Sequence, residues 1–250
     1  MAHDKRMVVM ISGKNSVVSF LKFLDEANKA GDKYEFIFSI AYIPSEYDED
    51  PTDNIFSLGE ILKLHAERYG HKVIDMAYMA ETNVWFKIIK QVFGKNEAGI
   101  CTPCLLCRAY TYLSRIDLAC EKDADILSYE TSNCDGIEKI TEHPKFIEFI
   151  DNYFKEYSIT IHRPLMGVSD EDIDAEWKKL GELYDFDIDS FKMPKCALEN
   201  NLNMSELSNN EIDSYVESMI GVLKDTMDTI VEDYRKESAE AFTREIECNC

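Results

Sequence analysis

Short unbroken apolar runs alternate along this chain with longer stretches in which apolar residues recur at helical spacing. Met7 to Ile11 (Met-Val-Val-Met-Ile) is the first run, and Ser12-Gly13-Lys14-Asn15-Ser16 follows at once, leading into the amphipathic stretch Val17 to Ala30. Strand, small-residue loop, helix is the order of an α/β phosphate-binding unit. Tyr34 to Ile43 predicts a second strand, Pro44 to Asn54 an acidic loop, and Ser57 to Tyr69 a helix that stops at Gly70. Val73 to Tyr78 predicts a third strand and Asn83 to Phe93 a third helix. Ala109 to Cys120 then reads as helical and Ala124 to Tyr129 as a fourth strand. Helix Pro144 to Tyr157 leads to strand Ser158 to His162, and Ser169-Asp170-Glu171-Asp172 opens a further helix with a capping-box pattern. Strands alternating with helices predict an α/β fold: a mainly parallel sheet with helices on both faces, Rossmann-like.

The last fifty or so residues differ. From Asn209 to Glu247 apolar residues fall on one helical face (Ile212, Tyr215, Val216, Met219, Val222, Leu223, Met227, Ile230, Val231, Tyr234), and the opposite face is acidic. Residues 1–200 are expected to form the catalytic domain and 201–250 an acidic helical extension. The extension would pack on the core or mediate a homodimer.

Charge narrows the partners. The chain carries 48 acidic and 27 basic side chains, a formal net charge of −21. Lys and Arg neutralising phosphates drive non-specific nucleic-acid binding, so this balance argues against a large nucleic-acid footprint. The N-terminal apolar run is too short for a membrane span or a signal core, and a cytoplasmic protein without membrane association is expected.

Eight cysteines are many for such a chain. In a reducing compartment they read as metal ligands, catalytic thiols or small core residues. Cys101, Cys104 and Cys107 stand in Cys101-Thr102-Pro103-Cys104-Leu105-Leu106-Cys107, two tandem pairs with the spacing by which thiolates meet one ion from a single tight turn. A further ligand must come from elsewhere: Cys120, Cys134, Cys196, Cys248 or Cys250. Cys120 falls on the apolar face of the predicted helix and is expected in the core. Cys248 and Cys250, at the chain end, are expected to have no role. The five histidines form no motif, and His65 and His71 read as surface or capping residues.

Several segments, in order, resemble one superfamily. Ser12-Gly13-Lys14-Asn15-Ser16 is similar to a shortened Ser-Gly-Gly-x-Asp-Ser loop of the PP-loop ATP pyrophosphatases, also called adenine nucleotide alpha hydrolases. One glycine is absent, and Asn15 stands where that family has Asp, which removes a carboxylate able to help hold Mg²⁺. Cys104-Leu105-Leu106-Cys107-Arg108 followed by Ala124-Asp125-Ile126-Leu127 resembles the thiolating branch, in which a Cys-x-x-Cys turn opens a helix ahead of a hydrophobic strand. His162-Arg163-Pro164-Leu165, Asp172-Ile173 and Met193-Pro194-Lys195-Cys196 continue the succession found in iron-sulfur-dependent tRNA 2-thiocytidine and 2-thiouridine synthetases. That family's Gly-His segment after the fourth strand is not evident; Ser128-Tyr129-Glu130-Thr131 occupies its place.

The resemblance implies an AMP-forming, ATP-dependent sulfurtransferase. Adenylating a carbonyl oxygen makes AMP the leaving group, after which sulfide or a persulfide attacks carbon. Ser12, Gly13, Lys14, Asn15 and Ser16 would hold the pyrophosphate with Mg²⁺, and Arg163 would reach the nucleotide phosphates. Cys104, Cys107 and Cys196 would hold a 4Fe-4S cluster whose fourth iron can carry hydrosulfide. Lys14 and Cys101 are the candidate catalytic residues, Cys101 as a persulfide relay, a fourth ligand or a bystander. A structural zinc held by Cys101, Cys104, Cys107 and another cysteine, or a metal-free pair with a persulfide on Cys196 and a resolving thiol near Cys104, competes with this reading. The charge selects a small-molecule acceptor, a nucleobase-like heterocycle or a thioamide precursor, with a separate sulfide or persulfide donor. Thiolation of tRNA, amide ligation, and a non-catalytic nucleotide-binding protein are the alternatives.

Overall fold

The first apolar run becomes the central strand of a five-stranded sheet. The computed structural model describes residues 5–41, 46–47, 51–79, 85–90, 102–131, 140–189, 191, 195–196 and 208–248; for 41, 46–47, 51–56, 78–79, 102–103, 195–196 and 234–248 it describes the backbone alone. Strand β1 (Lys5–Ile11) leads into α1 (Lys14–Ala30), β2 (Tyr34–Ala41), β3 (Glu46–Tyr47), α2 (Pro51–Arg68) and β4 (Lys72–Met79). A helical segment, α3 (85–90), comes next. Then follow α4 (Thr102–Leu113), α5 (Ile116–Lys122), β5 (Asp125–Leu127), a 3₁₀ turn (Ile140–Glu142), α6 (Pro144–Lys155) and β6 (Ile161–His162). The chain continues through α7 (Asp170–Tyr184), β7 (Lys195–Cys196) and α8 (Asn209–Cys248).

The large sheet has the order β4-β2-β1-β5-β6, and each pairing within it is parallel. β1 pairs with β2 from Lys5↔Tyr34 to Ile11↔Ile40 on one side and with β5 from Met7↔Asp125 to Val9↔Leu127 on the other. The order therefore reverses at the boundary between β1 and β5. In an open α/β sheet that reversal leaves a crevice outside the carboxyl ends of the strands. A separate antiparallel pair joins β3 to β7, with Glu46 opposite Cys196.

The two-residue period of a strand divides the core between the faces. Val8 and Met10 join Ile37 and Ile126 under α4, α5, α6 and α8, whereas Met7, Val9 and Ile11 join Phe36, Phe38, Ile40 and Leu127 under α1, α2 and α7. Phe20 of α1 is fully buried and meets Phe36 and Phe38 edge-on, with centroids 5.0 and 5.3 Å apart. Such a side chain contributes about 1.5–3 kcal/mol by leaving water. On α8 the residues Ile212, Val216, Met219, Val222, Leu223, Met227, Ile230 and Val231 are buried in the first of these clusters. The apolar face of the C-terminal helix is thus a wall of the chain's own core as far as Val231. Its joint with α6 is polar: His143 Nε2 lies 2.8 Å from Asp213, and Lys145 donates to Glu217 at 2.6 Å.

Four expectations are corrected. The acidic loop is shorter than its composition implied, because α2 begins at Pro51, a residue that has no N–H to leave unsatisfied in a first helical turn. The helix expected over Ala109–Cys120 breaks at Ser114 and Arg115, where Ser114 Oγ donates to the Thr111 carbonyl and competes with the helical ladder. That break re-phases α5: Ile116 and Ala119 turn inward, and Cys120 is exposed rather than in the core. His71 is buried, not superficial, because its Nδ1 accepts the Tyr34 N–H at the start of β2. Among the described residues, no helix is long and apolar enough to cross a membrane.

Candidate functional site

The crevice at the order reversal is a real cavity of about 380 Å³. Ser12, Gly13, Lys14 and Asn15 form one wall, Arg108, Tyr129 and Glu142 face them, and Trp177, Ile188 and Phe191 make an apolar side.

The loop wall is set locally. Gly13 has φ 152° and ψ −158°, a backbone region that is essentially glycine-only. This lets the chain leave β1 and enter α1 within two residues. Ser16, buried in the first turn, closes the loop: its Oγ accepts from the Ser12 N–H at 2.9 Å and the Gly13 N–H at 3.0 Å, and donates to the Gly13 carbonyl at 2.6 Å. Its hydroxyl shapes the loop, and Ser16 is not among the residues lining the cavity. What the loop presents is the first-turn amides of α1, the positive end of a 17-residue helix, and the Lys14 ammonium. That ammonium lies 2.5 Å from Asp174 on α7, a half-exposed pair that an incoming anion would compete with.

The facing wall rests on buried charge. Arg108, one residue past Cys107, stacks over the Tyr129 ring at 4.6 Å and stands 3.6 Å from Glu130. Glu130, whose side chain is 1% exposed, also lies 3.2 Å from Arg163 Nε and accepts from the Tyr112 hydroxyl at 2.5 Å. Arg163 continues outward to Asp151 at 2.5 Å. Burial alone would raise the Glu130 carboxyl, but Arg108 and Arg163 outweigh it and hold it below the usual carboxylate range. Burial also opposes the charge on Arg108, yet Tyr129 and Glu130 keep its pKa raised. Its Nη1, the atom nearest Glu130, is buried and makes no hydrogen bond of good geometry. Beneath this wall the fully buried Arg115 donates to the carbonyls of Thr111 and Ser39, and burial pushes its pKa down to about 10.

Sequence reasoning placed Ser12, Gly13, Lys14 and Asn15 at a site, and the structure brings them to one cavity. Arg163, expected at the phosphates, is instead inside the ionic network and is not among the lining residues. Tyr129, Glu130 and Glu142 were missed as site residues. The signal available was position: a Tyr-Glu pair directly after the strand that borders the order reversal. Cys104 and Cys107 sit not in a tight turn but on α4, three residues apart, both half-buried against the core beside Arg108. Cys101 lies outside the described residues, as do Cys134 and Cys250, and Cys196 is described only by its backbone in β7. Among the described residues no group of three His, Cys, Asp or Glu side chains is placed to hold a metal ion.

A parallel sheet reversed at β1 and β5, with an amide-rich loop at that point, defines an α/β protein of Rossmann-like architecture. No protein-family model matches the chain, and no curated protein matches it. Among solved structures it is similar to the U34-tRNA thiolase NcsA from Methanococcus maripaludis, determined with its [4Fe-4S] cluster. The identity is 14%, covering 94% of this chain and 71% of that one, with a TM-score of 0.40.

Proposed function

We propose that this chain is an ATP-dependent sulfur-transfer enzyme that adenylates a carbonyl oxygen of a small molecule and replaces it with sulfur, releasing AMP and pyrophosphate. The observation that carries the nucleotide part is the convergence of the first turn of α1, Lys14 and Arg108 on one cavity at the order reversal. Phosphate oxygens suit all three donors, and a fixed set of donors stabilises charge without reorganising during reaction. Lys14 would exchange Asp174 for a phosphate oxygen.

The sulfur part is supported by the donor set next to Arg108. Cys104 and Cys107 offer two thiolates one helical turn apart, half-buried, which suits a 4Fe-4S cluster or a zinc ion completed by other cysteines. When bound, a cluster with an open iron would supply a place for sulfide. Cys196 and Cys101 are the proposed completing ligand and sulfur relay. The small-molecule acceptor is supported by the net charge of −21 and by the apolar side of Trp177, Ile188 and Phe191, on which a flat heterocycle can rest.

Incubation with ATP, sulfide and a panel of heterocyclic and amide acceptors should form AMP and pyrophosphate in step with a thiolated product. ADP and phosphate as the products would reject the adenylation reading. Tight, salt-sensitive tRNA binding would replace the small-molecule acceptor by tRNA.

A further inference from the structure

We propose that Arg115 is a positioning residue for the anionic end of the cavity: the protein leaves its buried positive charge without a counter-ion, and the phosphates of a bound nucleotide balance it. The inference rests on the nucleotide-binding part of the proposed function and adds a group that does not line the cavity. Arg115 follows the Ser114 break between α4 and α5 and is fully buried. Two of its nitrogens end on backbone carbonyls: Nη1 donates to Thr111, in the last turn of α4, and Nη2 to Ser39 at 3.1 Å. Its Nε is buried with no hydrogen-bond partner. Ser39 stands opposite Met10 in the register of β2 and β1, so the guanidinium lies near the carboxyl end of β1, from which the loop leaves.

A brace between two carbonyls needs no charge. A neutral amide could meet the same acceptors, whereas a guanidinium taken out of water is costly unless an anion faces it. Among the described residues no carboxylate pairs with Arg115. Glu130 lies between Arg108 and Arg163, Asp151 pairs with Arg163, and Glu142 accepts from Thr131. The carboxyl end of α4 offers partial negative charge through the Thr111 carbonyl, which makes the position tolerable without neutralising it. Around the guanidinium stand the phenols of Tyr129, Tyr110 and Tyr112, and Arg108 adds a like charge. Arg108 and Tyr129 both line the cavity. The uncancelled charge therefore lies behind the wall that phosphate oxygens would meet, in an interior where charges are screened far less than in solvent.

The test is calorimetric titration of the full-length protein, in EDTA, with ATP, ADP, AMP and adenosine. A charge acting through space must matter more as the ligand's charge grows. Arg115→Gln should weaken ATP by about tenfold, the order for a unit charge acting through a poorly screened interior. The loss should be smaller for ADP, smaller again for AMP, and absent for adenosine. Ser114→Asp keeps the guanidinium but sets a carboxylate where a hydroxyl stands 3.5 Å from its Nη1. This variant should reproduce the graded loss, and it decides the question if Arg115→Gln does not fold. Loss by one common factor for all four ligands, the result expected of a brace alone, overturns the proposal, as does unchanged ATP affinity in a folded variant. A wild-type protein that binds none of the four overturns both this inference and the function proposed above. A graded loss in a protein that forms ADP and phosphate supports Arg115 and rejects only the adenylation step.

Discussion

The loop wall of the cavity closes within five residues, through one hydroxyl and the amides next to it. The facing wall gathers Arg108 from α4, Glu130 from the segment after β5, Asp151 from α6 and Arg163 from beyond β6. The bonds that close the first are neutral and local. The second is ionic, buried and assembled from positions up to 55 residues apart. A neutral loop can form with its helix, whereas a buried charge set is stable only once every member has arrived, because each ion alone is expensive to desolvate. The two walls should therefore fail in different ways.

The largest effect is expected from Glu130→Ala, which leaves Arg108 and Arg163 sharing one cavity wall without their common counter-ion. Loss of about 3–5 kcal/mol in denaturant unfolding is predicted, and a loss under about 1 kcal/mol would mean that the network is not a supporting structure. Gly13→Ala forces a side chain into a backbone region closed to it, at about 1–3 kcal/mol, and should abolish nucleotide binding while the sheet persists in circular dichroism. Ser16→Ala strands two loop amides and should cost about 1–2 kcal/mol; if stability and nucleotide affinity are both unchanged, the hydroxyl does not hold the loop. Acid should separate the walls. The folded Glu130 carboxyl is depressed, so its contribution is full above the ordinary carboxyl value near 4.3 and is lost as pH falls through the lower folded value. Stability should fall in that window in the wild type, and this part of the slope should be missing in Glu130→Gln. The smallest effect belongs to Lys5→Ala, since the exposed pair of Lys5 with Asp32 is screened by solvent and its loss should leave the unfolding midpoint unchanged within error.

The same contrast explains what could be read from the sequence. Met7 to Ile11 and the five residues after it announce strand, loop and helix because the signal is contiguous. The alternating strands and helices likewise announce a parallel sheet. Arg163 could not be placed from its neighbours: beside a proline it resembles a phosphate ligand, and only the packing of α6 and β6 turns it toward Glu130. Ser128 to Thr131 matches no motif, yet it carries residues that organise the facing wall. The break at Ser114 was hidden because Tyr112, Leu113 and Ile116 keep an apolar pattern across it, and that shift alone moved Cys120 to the surface.

The central claim is that nucleotide phosphates lie between the α1 loop and Arg108. Hydrogen exchange of the full-length protein with and without Mg²⁺-ATP tests it most directly. The account predicts slowed exchange at the amides of residues 12–16 and 129–131, with β4 and α2 unchanged. Protection absent from the loop, or appearing only at another surface, would contradict it.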